Sequence, residues 1–132
     1  MGRRPAVVDA SVLIAFLASD DAHHEAATRA MQALLDPPIV PVVAYAEVMV
    51  GASASARSRR RTEAFFDTLQ IEPLSRAIAR RGAELRSRTG ASLADALVVA
   101  TAQEIDAVSI ITADARWTRL DPRVQVLVQP GS

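Results

Sequence analysis

The chain has 132 residues, half of them apolar, which is enough for one compact domain with a real core and leaves little room for a second. Fifteen basic residues balance fifteen acidic ones, so no bulk positive field is available to hold nucleic acid, and a polyanion needs a local site. Every basic residue is arginine and cysteine is absent, which excludes P-loop phosphate binding, lysine Schiff bases, disulfides, thiol catalysis and cysteine-ligated metals.

Short apolar runs alternate with helical patterns along the chain. Five runs have the character of buried strands, at residues 6–8, 39–43, 71–74, 108–112 and 124–128. Start and stop signals such as Asp20-Asp21 and Pro37-Pro38 delimit the helices between them. The predicted helices span residues 12–17, 23–35, 44–51, 57–69, 75–88 and 93–104. Pro41 favours an irregular or edge position for the second strand.

Continuously apolar strands separated by helices are typical of a parallel sheet that is covered on both faces. We therefore predict an α/β fold, a three-layer α/β/α sandwich with a central, mainly parallel sheet and right-handed crossovers. Ligands of such sheets bind beyond the carboxyl ends of the strands, near the point where the strand order reverses. No repeat, low-complexity tract or long linker divides the chain, so residues 1–132 are predicted to form one domain.

The amino-terminal region superficially resembles a secretion signal, because Arg3-Arg4 precede an apolar stretch over residues 6–18. Asp9 lies in the middle of that stretch, which argues against a signal peptide. No run approaches the ~18 apolar residues of a membrane span. We expect a soluble, cytoplasmic protein without a membrane partner.

Four carboxylates stand out by their positions. Asp9 follows the first predicted strand, and Asp114 follows the fourth. Asp95 lies in the first turn of the helix before the fourth strand, and Glu47 lies in an unusually apolar helix. Each also has a structural explanation: a helix cap for Asp9, a turn for Asp114, a Ser92-x-x-Asp95 capping box, and a solvated helix position for Glu47.

Taken together, the four carboxylates predict a cation site. Three of them fall where ligands of parallel sheets bind, and carboxylates packed together raise one another's pKa unless a cation relieves the repulsion. An all-oxygen ligand set suits Mg²⁺ or Mn²⁺. His23-His24 are interpreted as surface residues, because neighbours on a helix do not converge on one ion. A site of this kind activates water and holds phosphate oxygens without a covalent nucleophile, so Ser11 is interpreted as a cap or a hydrogen-bonding partner.

Several motifs carry a family resemblance. The segments VVDASVL (7–13), LADALVVATA (93–102) and IITAD (110–114), together with Glu47, look like those of a PIN domain. More narrowly, the chain resembles the VapC toxins of bacterial toxin–antitoxin pairs, along essentially its whole length. The resemblance implies a Mg²⁺-dependent endoribonuclease that forms a homodimer and is inhibited by a partner antitoxin inserting a segment into the acidic groove.

By residue, the resemblance implies that Asp9 and Asp95 are core metal ligands and that Asp114 is a further ligand. It implies that Glu47 binds the metal directly or through water.

The same resemblance assigns supporting polar positions to Ser11 and Thr112. This chain departs from the family at Arg116, where members often carry a second acid two residues after the last aspartate. The departure weighs against a second metal at that corner and suggests instead that Arg116 contacts RNA phosphate.

Arginines are the main candidates for holding RNA. The densest cluster consists of Arg57, Arg59, Arg60 and Arg61, and a looser one of Arg80, Arg81, Arg86 and Arg88. Both clusters are open to two interpretations, a solvated helix face or contacts with RNA phosphates. Trp117 is a candidate for base stacking or for core packing, and Phe65-Phe66 are predicted to lie in the core or an interface.

Other functions fit parts of the pattern. A housekeeping PIN nuclease for RNA processing has the same site, and a non-catalytic module keeps the fold, although retention of four acids argues against the latter. A phosphoacceptor receiver domain also places an aspartate after a strand, but the missing lysine counts against it. The high apolar fraction predicts association through the helices at 44–51 and 57–69.

Overall fold

The computed structural model describes residues 4–129. Strands and helices alternate within this range, in the order β1 (Ala6–Val8), α1 (Ala10–Leu17), α2 (His24–Gln32), β2 (Ile39–Pro41), α3 (Val42–Ala52), α4 (Ala56–Phe66), β3 (Gln70–Glu72), α5 (Arg76–Thr89), α6 (Leu93–Glu104), β4 (Ser109–Thr112), a 3₁₀ helix (Ala115–Arg119) and β5 (Val124–Val126). None of the helices in this range is both long enough and apolar enough to cross a bilayer.

The five strands form one sheet in the order β3-β2-β1-β4-β5, and all four pairings are parallel. The chain moves outward from β1 to β3 and then returns to the other side of β1, so the strand order reverses between β1 and β4. Helix α6 packs on β1 and β4, whereas α3 contacts β2 and β3. Within residues 4–129, six α-helices flank the sheet and all of its strand pairings are parallel, which confirms the predicted three-layer sandwich.

The core is centred on β1 and β4. Every residue of these two strands is buried, and Val7, Val8 and Ile110 have no exposed surface. Each such side chain contributes about 1.5–3 kcal/mol through burial, which is why continuously apolar strands occupy the middle of the sheet. The edge strands β3 and β5 are only partly covered. Asp9 and Asp114 therefore each follow a fully buried strand, which fixes the position of their backbone.

Close packing of α5 and α6 sets the position of Asp95. A Cβ atom added to Gly82 in α5 would lie 2.6 Å from Leu97 Cδ2 in α6, so glycine permits the approach of the two helices. Gly90 ends α5 with a positive φ of 75°, and Ser92 then caps α6 by accepting a 3.1 Å hydrogen bond from the Asp95 backbone N–H. The predicted Ser92 cap is thus present, and Asp95 lies in the first helical turn.

Some element boundaries differ from the predicted ones. Strand β2 ends at Pro41, because Val42 and Val43 already belong to α3. The sequence predicts an irregular or edge position for Pro41. The edge alternative is wrong, since β2 lies between β3 and β1, and Pro41 is the last residue of β2, directly before α3. Helices α2 and α4 each end three residues before the predicted boundary, at Gln32 and Phe66. The 3₁₀ helix after β4 was not predicted.

Candidate active site

The four acids lie around the carboxyl edge of the central strands. Asp9 directly follows β1 and Asp114 lies two residues beyond β4, while Asp95 and Glu47 come from α6 and α3, which contact each other. The charges of Asp9, Glu47 and Asp95 interact with one another. Asp114 is connected to this group through Arg116, whose charge also interacts with Asp95. The structure therefore places three of the predicted acids near enough for their charges to interact, and places the fourth at their margin.

Asp9 is the most enclosed of the four, with only 6% of its surface exposed. Its backbone N–H donates to Ile111 O at 2.9 Å, which extends the pairing of β1 with β4. Its Oδ2 accepts hydrogen bonds from Ser11 Oγ at 2.7 Å and from Thr112 Oγ1 at 3.0 Å. Asp9 occupies the cap position of α1, but its side chain makes no capping hydrogen bond. The carboxylate is therefore held for something other than helix capping.

Two hydroxyl groups fix the orientation of the Asp9 carboxylate. Ser11 Oγ accepts from the Ala113 backbone N–H at 3.0 Å, and Thr112 Oγ1 accepts from the Asp114 backbone N–H at 3.1 Å. Because each hydroxyl oxygen receives a backbone N–H, its own proton is directed at Asp9. The loop after β4 thereby ties the two neighbouring strand ends together.

Electrostatic repulsion is built into this edge of the sheet. Burial raises the pKa of Asp9, hydrogen bonds from Ser11 and Thr112 act in the opposite direction, and the charge of Asp95 raises the pKa further. Partial burial also raises the pKa of Glu47, and the charges of Asp9 and Asp95 add to that effect. A cation bound between these groups would remove the repulsion.

Asp114 lies in a different setting. Its Oδ1 accepts from the Arg116 backbone N–H at 2.9 Å and so caps the 3₁₀ helix, as the turn explanation expects. The Arg116 guanidinium also contacts both carboxylate oxygens, with Nη2 lying 2.7 Å from Oδ2. Hydrogen bonding from Arg116 is the main reason why the pKa of Asp114 is lowered.

The acids do not form a closed ligand set as they stand. Among residues 4–129, no three histidine, aspartate or glutamate side chains are grouped so that they could hold a metal ion. Asp9, Glu47 and Asp95 interact through charge, and both oxygens of Asp114 contact Arg116. Three of these carboxylates could bind one metal ion together only after side-chain movement that brings their oxygens closer.

A cavity of about 480 Å³ adjoins the acidic edge. Ser11 and Asp114 line it, together with Asp21 and His23 from the segment before α2. Asp21 accepts a hydrogen bond from the His23 backbone N–H at 2.8 Å. The sequence pattern identified these two residues only as a helix start and a surface position, because a connecting segment has no periodicity that shows which way it folds. His24 does not line this cavity, and its Nδ1 lies 2.8 Å from Ala15 O.

The arginine clusters differ in their surroundings. The dense cluster lies exposed on α4, and Arg61 borders a groove of about 350 Å³ between α1, α3 and α4. In the looser cluster, Arg81 forms a 2.7 Å ion pair with Glu104, and Arg86 donates to Ala91 O at 2.8 Å. Two members of the looser cluster thus have structural contacts, whereas the role of the dense cluster in RNA binding stays a prediction.

The aromatic residues pack into the fold. Trp117 is 2% exposed, so the interpretation of its ring as a stacking surface for bases is wrong. Phe66 is equally buried, and its ring makes edge contacts with those of Tyr45 and Phe65, in keeping with a core role.

Comparison with known proteins identifies the class to which this fold and site belong. The profile of the PIN domain family matches residues 6–122, and the chain belongs to that family.

Solved structures agree with this assignment. A chain of a toxin–antitoxin complex from Klebsiella pneumoniae is 30% identical, with a TM-score of 0.80 over 92% of this chain and 96% of that one. Mycobacterium tuberculosis VapC20, a sarcin–ricin loop cleaving toxin, shares the fold at 17% identity and a TM-score of 0.79, over 95% and 99% of the two chains. Rickettsia felis VapBC2, solved with a DNA fragment from its promoter, also shares the fold. The identity is 15% and the TM-score is 0.77, over 93% of this chain and 98% of that one. None of the curated protein sequences compared with the chain matches it.

Proposed function

We propose that this PIN domain is a Mg²⁺-dependent endoribonuclease and the toxin of a toxin–antitoxin pair. The observation that carries the proposal is the grouping of Asp9, Glu47 and Asp95, whose charges repel one another, at the edge where the strand order reverses. Acids held in mutual repulsion at a ligand-binding edge are typical of a catalytic centre rather than of a structural ion pair.

The chemistry of the donor set fits a hard divalent cation. The acids offer only oxygen ligands, the chain has no cysteine, and neither histidine belongs to the group. In this proposal Asp9 and Asp95 would hold Mg²⁺ and Glu47 would bind it directly or through water. Asp114 would contribute its charge from further away, because Arg116 contacts both of its oxygens. Mn²⁺ is an alternative ion. When bound, such an ion would offset negative charge on phosphate oxygens and would lower the pKa of a water molecule, so that hydroxide becomes available to attack phosphorus.

The protein's own groups have separate tasks. Ser11 and Thr112 stabilise the ionised form of Asp9 against burial and orient its carboxylate, as partners of metal ligands commonly do. Glu47 lies on the exposed side of α3, which suits a carboxylate that binds the ion through water.

RNA is the proposed substrate. The support comes from VapC20, a toxin that cleaves the sarcin–ricin loop and shares this fold. With zero net charge, the chain relies on local cations, and we assign phosphate contacts to Arg116 and to the α4 cluster of Arg57, Arg59, Arg60 and Arg61. Such contacts position the RNA backbone without selecting its sequence.

A cognate antitoxin is the proposed protein partner. The support is the Klebsiella pneumoniae relative, which is part of a toxin–antitoxin complex and is 30% identical over nearly the whole chain. We further propose a homodimer that uses α3 and α4, because Val50 on α3 is 79% exposed despite being apolar. The cytoplasm is the compartment where both the RNA and the antitoxin are available.

Two aspartate variants test the activity. Asp9→Asn and Asp95→Asn are expected to lose more than about 100-fold in Mg²⁺-dependent RNA cleavage while keeping the circular dichroism spectrum of the wild type, because a lost ligand costs at least as much as a lost outer partner. Glu84→Gln, an exposed change on α5, is the matched control and should cleave normally. Full Mg²⁺-dependent cleavage by either aspartate variant refutes the proposed centre.

Expression in cells tests the biological role. Induction of the wild type should arrest growth, Asp95→Asn should not, and co-expression of the product of an adjoining small reading frame should restore growth. Normal growth on induction of an active wild-type enzyme would argue against the toxin role and in favour of housekeeping RNA processing.

A further inference from the structure

Both oxygens of the Asp114 carboxylate are held by a single residue two positions further along the chain. Arg116 Nε lies 3.0 Å from Oδ1 and 3.2 Å from Oδ2, and Nη2 lies 2.7 Å from Oδ2. The Arg116 backbone N–H adds a fourth contact, at 2.9 Å from Oδ1. A guanidinium that faces a carboxylate in this forked way makes a bidentate contact, which fixes the orientation of the two groups relative to each other.

The arrangement is set by the backbone after β4. Asp114 caps the 3₁₀ helix Ala115–Arg119, and the first turn of that helix brings the Arg116 N–H and side chain to the same carboxylate. Trp117, the next residue, is buried in the core and holds the short helix against the domain. The backbone conformation of the 3₁₀ helix therefore places Arg116 beside Asp114.

The positive charge of Arg116 reaches more than one acid. It contacts Asp114 and also interacts, more weakly and through charge alone, with Asp95. Arg119 also has a charge near Asp114, but its Nη1 donates to Thr89 O at 2.8 Å and is held at the end of α5. Arg116 is thus the cation at the Asp114 corner of the site.

We propose that Arg116 takes the place of a second divalent cation, so that this active site binds one metal ion and uses a guanidinium for the other positive charge. The inference rests on the proposed function. Arg116 offsets one of the four carboxylate charges, and a single divalent cation held by Asp9, Glu47 and Asp95 offsets two more. A second ion at Asp114 would have to displace a bidentate ion pair that forms within the chain itself.

Arg116 is also placed to contact substrate while it holds Asp114. Its side chain is 84% exposed, whereas that of Asp114 is 26% exposed, so the guanidinium lies on the solvent side of the pair. A guanidinium has five N–H donors, and the contacts through Nε and Nη2 leave Nη1 to donate elsewhere. A phosphodiester oxygen next to the scissile phosphate is the acceptor that this position suits.

Counting bound ions tests the proposal without relying on cleavage. Mn²⁺ is titrated into the purified full chain by calorimetry, with electron paramagnetic resonance as a second measure of free Mn²⁺. The wild type and Arg116→Lys should bind one ion, and Arg116→Asp, which removes the cation and adds an acid, should bind two. Arg116→Ala should bind the first ion about 3- to 10-fold more tightly, the size expected for one screened charge. Arg119→Ala is the matched control and should bind like the wild type.

The outcomes separate this inference from the proposed function. Two ions in the wild type, or one ion in Arg116→Asp with unchanged affinity in Arg116→Ala, overturns the role of Arg116 even if the enzyme cleaves RNA. A wild type that binds one ion, together with tighter binding by Arg116→Ala than by either the wild type or Arg119→Ala, supports the role of Arg116, whether or not cleavage is detected. Binding that survives in Asp9→Asn with undiminished affinity overturns the metal centre itself, and with it this inference.

Discussion

Asp9 and Asp114 follow the two central strands of one sheet, yet their surroundings are opposite. Asp9 is buried, accepts hydrogen bonds from two hydroxyls, and has a raised pKa because burial outweighs those bonds. Asp114 is more open, is paired with Arg116, and has a lowered pKa. The end of a parallel strand brings an acid to the ligand-binding edge, but the residues that follow it decide the state of its charge.

The backbone explains the difference. After β1 the chain begins α1 at Ala10, so Asp9 lies at the junction of the strand and the helix, where its carboxylate contacts Thr112. After β4 the chain turns through Ala113 and begins the 3₁₀ helix at Ala115, which leaves Asp114 at the surface as its cap. Among the side chains of residues 4–129, Asp9 is thus paired with hydroxyl groups rather than with a cation, whereas Asp114 is paired with Arg116.

The largest expected effect separates these two acids in metal binding. Asp9→Asn should weaken Mn²⁺ binding and RNA cleavage by more than about 100-fold, whereas Asp114→Asn should cost less than about 10-fold, because Arg116 already balances that carboxylate. Calorimetry and single-turnover cleavage measure the two losses. Equal losses in the two variants would mean that Asp114 releases Arg116 and joins the metal ligands, and would remove the distinction between the corners.

The hydroxyls around Asp9 should matter more for stability than their size suggests. Thr112 is fully buried, so Thr112→Val keeps the shape but removes the donor to Asp9 and the acceptor for the Asp114 N–H. We expect a loss of about 1–3 kcal/mol in the free energy of unfolding for Thr112→Val, and about 0.5–1.5 kcal/mol for Ser11→Ala, which is less buried. Urea unfolding without metal measures both, and a larger loss for Ser11→Ala would contradict the assigned network.

Much of the architecture follows from local patterns. Helix α6 spans the predicted residues 93–104, because Ser92 supplies a cap and an apolar run follows it. The parallel sheet follows from strands that are apolar on both faces, and the reversal of strand order brings the ends of β1 and β4 together. The sequence alone therefore predicts that Asp9 and Asp114 lie at the same edge of the sheet.

The pairing of Arg116 with Asp114 could not be predicted in the same way. An arginine two residues after an aspartate is compatible with ion pairing, with RNA contact, or with both, and the choice depends on a 3₁₀ helix that is held by the burial of Trp117. The cavity formed by Asp21 and His23 likewise depends on how a connecting segment folds back toward Ser11. These features arise from tertiary packing, which produces no periodic pattern in the sequence. The assignment of the four acids as metal ligands stays a prediction.

The pH dependence of the free energy of unfolding should report the burial of Asp9. Because the pKa of Asp9 is raised above 3.8 in the folded chain, its protonated form is favoured there, and the stability this gives is lost as pH rises through the folded pKa. In metal-free urea titrations, the stability of the wild type should therefore fall relative to that of Asp9→Asn as the pH rises above about 4. Excess Mg²⁺ should reverse the trend for the wild type alone. A stability difference that does not change with pH would indicate that Asp9 is not strained by burial.

The smallest expected effect concerns Asp114, whose contribution to stability should change with pH in the opposite direction to that of Asp9. The lowered pKa of Asp114 means that its ionised form is favoured in the folded chain, so its contribution is present above about pH 4 and is lost as pH falls through the folded pKa. Asp114→Asn should therefore lose its disadvantage relative to the wild type as the solution is acidified. Because Arg116 is largely exposed, salt at about 0.5 M should suppress this difference, yet leave the pH trend of Asp9→Asn in place. If both trends respond equally to salt, then the two aspartates do not differ in burial in the way that the comparison of the two corners requires.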